Sequence, residues 1–222
     1  MGGFVEQIVP YLKALVLVPV TLLPIINPLS AAPVFASTAI RNKSMAPSMA
    51  RMVAINSWFI LVSAMLIGTY VLAVFGISRP IVRLGGGMLV AAAGWGMLNK
   101  EDDASSAEIE SVDLSKEKFM EKSFFPITFP LTTGPGTIAA SIALGTEIPR
   151  TPALYFAGAI VAGLGAAVTV LVIYWCFRYS AELLGRLGSI GTMVMIRMSG
   201  FLLLCIGLQI MWTGWSELIH LK

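Results

Sequence analysis

Two short stretches of this sequence pair residues that interrupt a helix with residues that can restart one, Pro19 to Ser30 and Pro126 to Thr137. Laid together without a gap, Pro19 meets Pro126, Thr21 meets Thr128, Pro28 meets Pro135 and Ser30 meets Thr137. Asn27 is suited to cap a new helix with Pro28 at its first position, and Gly134 with Pro135 repeats the arrangement. The N–H groups of Leu29 and Ser30, and of Gly136 and Thr137, are then expected to lie free at helix starts, where the partial positive charge favours a carboxylate or another anion. Carbonyls ending the preceding segments, at 22–26 and 129–133, are expected to accept bonds from an ammonium group or a cation. A zwitterion satisfies both ends. Gly136 has no side chain and lets a ligand approach the backbone. Thr21, Thr128, Thr132 and Thr133 either join carbonyls around a sodium ion or bond to their own backbone. The alternative for the whole pattern is that the kinks serve helix packing alone.

Such residues need elements that hold them in place, and the composition says what kind. Of 222 residues, 57% are hydrophobic and 12% are charged, about half the charged share of a soluble domain. Spanning the roughly 30 Å of bilayer hydrocarbon takes about 20 apolar residues. Six stretches qualify: Ala14 to Ile40, Met52 to Ser78, Pro80 to Asn99, Ser123 to Thr146, Thr151 to Phe177 and Met198 to Ser216. The expected fold is an all-α polytopic membrane protein, with the first and fourth spans broken by prolines. Pro19, Pro24, Pro28 and Pro33, like Pro126, Pro130 and Pro135, argue against continuous helices there. The first apolar run has no basic region before it and no cleavage site, so it is expected to stay as a helix.

Orientation follows the basic residues, because cytoplasmic loops keep an excess of Lys and Arg. Arg41, Lys43, Arg51, Lys100, Lys116, Lys118, Lys122, Arg178, Arg186 and Arg197 fall on one side, against Lys13, Arg79, Arg83, Arg150 and Lys222 on the other. Both termini are expected outside the cytoplasm, in the inner (cytoplasmic) membrane. The stretch from Lys100 to Lys122 holds four lysines and eight carboxylates and reads as a cytoplasmic connection. The organisation is therefore a first three-helix repeat at 1–99, a charged loop at 100–122 and a second repeat at 123–222. The third and sixth spans align as well, with Arg83, Gly86, Leu89 and Met97 falling on Arg197, Gly200, Leu203 and Met211. Three spans per half is odd, so the second half enters from the opposite side, an inverted 3+3 repeat of the kind that alternating-access transporters use.

Other polar positions have two readings each. Arg83 and Arg197 either snorkel to the interface or contribute to a gate, and Gly86 and Gly200 are aligned helix-packing positions. Asn56 either joins two helices or lines the path. Ala159, Gly163 and Ala167 form a small-residue face for close packing. Cys176 and Cys205 lie in apolar segments, where a thiol packs as a small hydrophobe.

At these residues the chain resembles the MarC family of bacterial and archaeal membrane proteins, over nearly its whole length. The resemblance is carried by Ile26 to Pro28, by Phe129 to Ile138 and by Arg83 to Gly86. It implies a transporter of small neutral amino acids such as glycine and alanine, with the site at Asn27, Pro28, Gly134, Pro135 and Gly136.

No enzyme is expected. The single histidine, His220, lies two residues from the C-terminus, and no His-Glu-x-x-His motif occurs. Ser199 precedes Gly200, but the glycine two residues before an intramembrane-protease serine is absent. All twelve carboxylates fall outside the apolar spans, so a proton relay through a buried Asp or Glu has no candidate. No cofactor or metal is expected, and a coupling ion, Na+ or H+, is left open. The expected partners are a small-molecule substrate and the lipid bilayer. Nucleic acid is not expected, because the basic residues form no patch despite a net charge of +3. So small a bundle is compatible with a homodimer. The alternatives are an exporter or channel for another small metabolite, including a role in drug efflux, or a membrane partner that transports nothing.

Overall fold

A computed structural model describes residues 2–39, 46–99, 123–148 and 151–220. The described elements are all helical: α1 Gly2–Ile26, α2 Pro28–Ala39, α3 Ala46–Val74, α4 Arg79–Asn99, α5 Ser123–Thr132, α6 Pro135–Gly145, α7 Pro152–Arg178 and α8 Ser180–His220. Four of them, α3, α4, α7 and α8, are long and apolar enough to cross a membrane alone. The pairs α1/α2 and α5/α6 bend by 50° and 66° at their breaks, and each pair counted as one span brings the total to six. The chain is an all-helical, multi-pass membrane protein. The charged loop expected at 100–122 lies outside the described residues.

The prolines act differently in the two bent pairs. Contrary to expectation, Pro19 and Pro24 do not interrupt α1, which runs unbroken to Ile26. The break falls at Asn27, where φ is +46°, a left-handed conformation that Asn tolerates better than most residues. In α5 the prolines do reshape the backbone. Phe125 and Phe129, each directly before a proline, are extended at φ −119°, ψ 126° and φ −124°, ψ 129°, the region into which the following ring pushes its neighbour. The coil there is wide, and Thr133 N–H bonds to the Thr128 carbonyl five residues back at 2.7 Å.

The last span also departs from expectation. Instead of starting at Met198, α8 begins at Ser180 and is interrupted only at Gly188, with φ +65° and ψ −177°. Arg197 therefore sits inside a helix rather than at its edge. The guanidinium is accommodated because its Nη1 donates to the Leu98 carbonyl at the end of α4, at 2.6 Å.

Lipid supplies no hydrophobic drive between helices, so close association rests on small residues that let backbones meet. Helices α4 and α8 are the most extensively packed pair, through Gly87 and Gly94 on one and Gly200, Gly207 and Gly214 on the other. A Cβ on Gly94 would lie 2.5 Å from the Leu204 nitrogen, and one on Gly87 would lie 2.7 Å from the Gly207 oxygen. Helices α3 and α7 pack through Gly163, whose carbonyl accepts the Trp58 indole N–H at 3.0 Å. The core includes Leu22, Ile127, Ile173 and a stacked Phe35–Phe177 pair at 4.7 Å that joins α2 to α7.

Candidate functional site

The second break is an open helix start. Gly134 is extended at φ −71°, ψ 175°, Pro135 occupies the first helical position, and no side chain caps α6. The Gly134 carbonyl accepts from Ile138 N–H at 3.0 Å. Gly136 and Thr137 thus present N–H groups without an intrahelical acceptor, at the positive end of the helix.

A cavity of about 190 Å³ opens at this point. Thr132, Gly134, Pro135, Gly136 and Thr137 line it together with Ile25 from the end of α1, Leu89, Val90 and Ala93 from α4, and Leu203 from α8. Its walls are largely apolar, and no charged side chain among the described residues reaches them. The Thr132 hydroxyl donates to the Ile127 carbonyl at 2.7 Å. With its hydrogen committed, the oxygen keeps its lone pairs, which suit an ammonium group or a cation. Thr128 and Thr133 hydroxyls likewise donate five residues back, to Ser123 and Thr128 carbonyls at 2.7 and 2.9 Å. Both are fully buried and off the cavity wall.

The first break closes on itself. Ser30 N–H bonds to the Asn27 carbonyl at 3.1 Å and to its Oδ1 at 3.4 Å, and Ser30 Oγ donates to the same carbonyl at 2.9 Å. The expectation of free N–H groups at both Leu29 and Ser30 is thereby corrected, because the Asn27 side chain and carbonyl take up the Ser30 donor. Asn27 N–H bonds to the Leu23 carbonyl at 2.9 Å, so that carbonyl is not free either. One polar group is left over. Asn27 is 8% exposed, and its Nδ2 has no hydrogen-bond partner. The Ser57 hydroxyl on α3, fully buried, is the other side-chain atom in that condition among the described residues. A buried donor without an acceptor costs about 1–3 kcal/mol, which an occupant can restore.

A family model for MarC family integral membrane proteins matches residues 12–219. The chain belongs to the MarC family. It is 32% identical over 212 residues to the inner membrane protein MarC of Salmonella typhimurium strain LT2, covering 93% of this chain and 96% of the relative. It is 33% identical over 217 residues to inner membrane protein MarC of Escherichia coli O6:H1, with the same coverage. No solved structure matches. Both relatives are inner membrane proteins by name, and the apolar helices of this MarC family chain suit multi-pass residence in such a membrane.

Of the residues expected to bind the solute, five line the cavity, Thr132, Gly134, Pro135, Gly136 and Thr137, and the helix-breaking Pro130 lies on its wall as well. Thr21, half-buried on α1, and Asn27, Pro28, Leu29 and Ser30 around the first break are not on its wall. Gly136 has a packing role, since a Cβ there would lie 2.7 Å from Val90 Cγ2. Gly86 likewise seats the Ala139 side chain of α6, and Gly200 faces Met97 and the Gly94 carbonyl. Asn56 is half-buried on α3, beside Ser57. The Arg83 guanidinium is held by Glu147, at 2.9 Å, and by Glu217. Ile25, Leu89, Val90, Ala93 and Leu203 escaped notice as wall residues, being ordinary apolar side chains. One signal was available for two of them: Leu89 and Leu203 fall on one another when the third and sixth spans are aligned.

Proposed function

We propose that this MarC family chain is a transporter of small neutral solutes, most simply small neutral amino acids such as glycine and alanine, by alternating access around the two helix breaks. The observation that carries this reading is the cavity of about 190 Å³ at an uncapped helix start. Pockets for drug-sized ligands run to about 300–1,000 Å³, so the space favours a solute of a few heavy atoms over a drug. Free N–H groups at Gly136 and Thr137 suit a carboxylate, the committed hydroxyl of Thr132 suits an ammonium group, and the apolar wall suits a small side chain. With no acid or base among the described residues of its walls, the cavity is read as a binding site rather than a catalytic one, and no cofactor is invoked.

An inverted 3+3 repeat is part of the proposal, with 1–99 and 123–222 as its halves. Its support is an exchange of contacts: α2 packs on α8 as α6 packs on α4, and α1 on α7 as α5 on α3. Both termini are placed outside the cytoplasm on the strength of the basic residues. The coupling ion is left to experiment, sodium being the candidate for which Thr132 offers a ligand.

The test is uptake of labelled glycine and alanine into proteoliposomes, with and without sodium and proton gradients. Saturable uptake of either supports the carrier. Flux that never saturates points to a channel, and no flux of either by folded protein sinks the amino-acid assignment.

A further inference from the structure

A second polar cluster lies away from the breaks, where Arg79, Arg83, Glu147, Glu217 and His220 surround a cleft of about 390 Å³. Its geometry follows from how two helix pairs are built. Helices α4 and α8 meet backbone to backbone at Gly87, Gly94, Gly200, Gly207 and Gly214, so neither can slide without collision. Helix α6 is seated equally closely on α3: a Cβ on Gly145 would overlap the Met65 carbonyl, and one on Gly68 would overlap the Ile142 side chain. Between these two bodies the nearest contacts are made by side chains, Ala139 over Gly86 and Val90 over Gly136.

Arg83 joins the two bodies. It starts from α4 and holds Glu217 of α8 inside its own body, while its Nη2 reaches Glu147, just beyond α6, at 2.9 Å. The two carboxylates differ in what happens if they let go. Glu147 is 59% exposed and would be hydrated at once, whereas Arg83 is 19% exposed and would keep Glu217 as its partner. Separation leaves no buried charge unpaired, which is the condition for a reversible contact. From the break at Gly134, α6 carries the chain about 15 Å, half a bilayer thickness, so a midplane break puts the pair at one membrane surface.

We propose that Arg83–Glu147 is a releasable latch that closes the path at one face, with Glu217 holding Arg83 ready to re-engage. The proposal rests on the transporter reading above.

The experiment places a cysteine at Thr137 on the cavity wall, in a chain carrying Cys176→Ser and Cys205→Ser, and measures its modification by a membrane-impermeant maleimide in spheroplasts and in inverted vesicles. Glu147→Gln is expected to speed labelling about threefold to fivefold from one face alone, the range open to an exposed ion pair. Glu217→Gln is expected to leave the rate within about twofold, since the latch pair persists. Equal effects of the two variants, acceleration from both faces, or no change with Glu147→Gln overturns the latch. Uptake is measured in parallel in chains that keep Thr137. Saturable uptake with labelling unmoved by Glu147→Gln sinks the latch alone. Labelling as expected without uptake sinks the solute assignment and leaves the latch standing.

Discussion

The two breaks share a proline at the first helical position, yet they dispose of their polar groups in opposite ways. At Asn27–Pro28 a side chain and a carbonyl both turn onto Ser30, and the break is buried. At Gly134–Pro135 nothing caps the helix, and a cavity stands where a cap would be. The difference lies in one residue type: Asn brings its own acceptor and accepts φ +46°, while Gly brings none. A break that caps itself is a structural joint with one spare donor, the Asn27 amide. A break without a cap leaves its N–H groups open to a bound solute. Variants that blur or exaggerate this contrast test it.

The largest effect is expected from Asn27→Gly. Glycine tolerates the left-handed backbone, and replacing an Asn cap by Gly costs only a few tenths of a kcal/mol, so the protein should fold. What disappears is the unpaired Nδ2. If that donor meets a charged group of the solute, uptake should fall about tenfold or more while the melting temperature stays nearly constant. Unchanged uptake would reduce the first break to a joint.

Gly136→Ala comes next and separates two readings of one glycine. The new methyl would press on Val90 Cγ2, an overpacking worth about 1–3 kcal/mol. Adding Val90→Ala makes room. Stability and uptake recovering together would show that Gly136 serves packing between α6 and α4. Stability recovering without uptake would show that the ligand itself needs the bare backbone.

Thr132→Val and Thr128→Val form a matched pair. Each removes a buried hydroxyl bonded five residues back, at a cost of about 1 kcal/mol in unfolding. Only Thr132 faces the cavity, so only its variant should raise the KM for uptake. A similar kinetic change from Thr128→Val would move the site away from the cavity wall.

Much of this arrangement was legible in the chain. The position of each break follows from Asn-Pro and Gly-Pro-Gly, because proline and the residue before it have few conformations to choose from. What the breaks do was less visible. That Ser30 would be captured by Asn27 depends on a positive φ, and Pro19 and Pro24 carry the same helix-breaking label without breaking α1. The beginning of α8 was missed because Arg197 looks like an end. Its charge is in fact met by a carbonyl of α4, a neighbour that no local pattern announces. The cavity wall was hidden for the same reason, since Ile25, Val90 and Leu203 become a wall only through the packing of three helices.

The smallest effect is expected at the joint itself, from Ser30→Ala. Ser30 Oγ donates to the Asn27 carbonyl at 2.9 Å at a half-buried position, and its loss should cost about 0.5–1 kcal/mol. The Ser30 N–H remains, so the Asn27 cap persists and the backbone at the break should not change. Thermal unfolding in detergent should register a small decrease, and uptake should remain within about twofold of the parent, since the bond that is lost lies within the break and not to the solute. A large loss of uptake at unchanged stability would mean that Ser30 touches the solute. The first break would then bind through more than the spare Asn27 amide, and the contrast between a largely closed joint and an open site would fail.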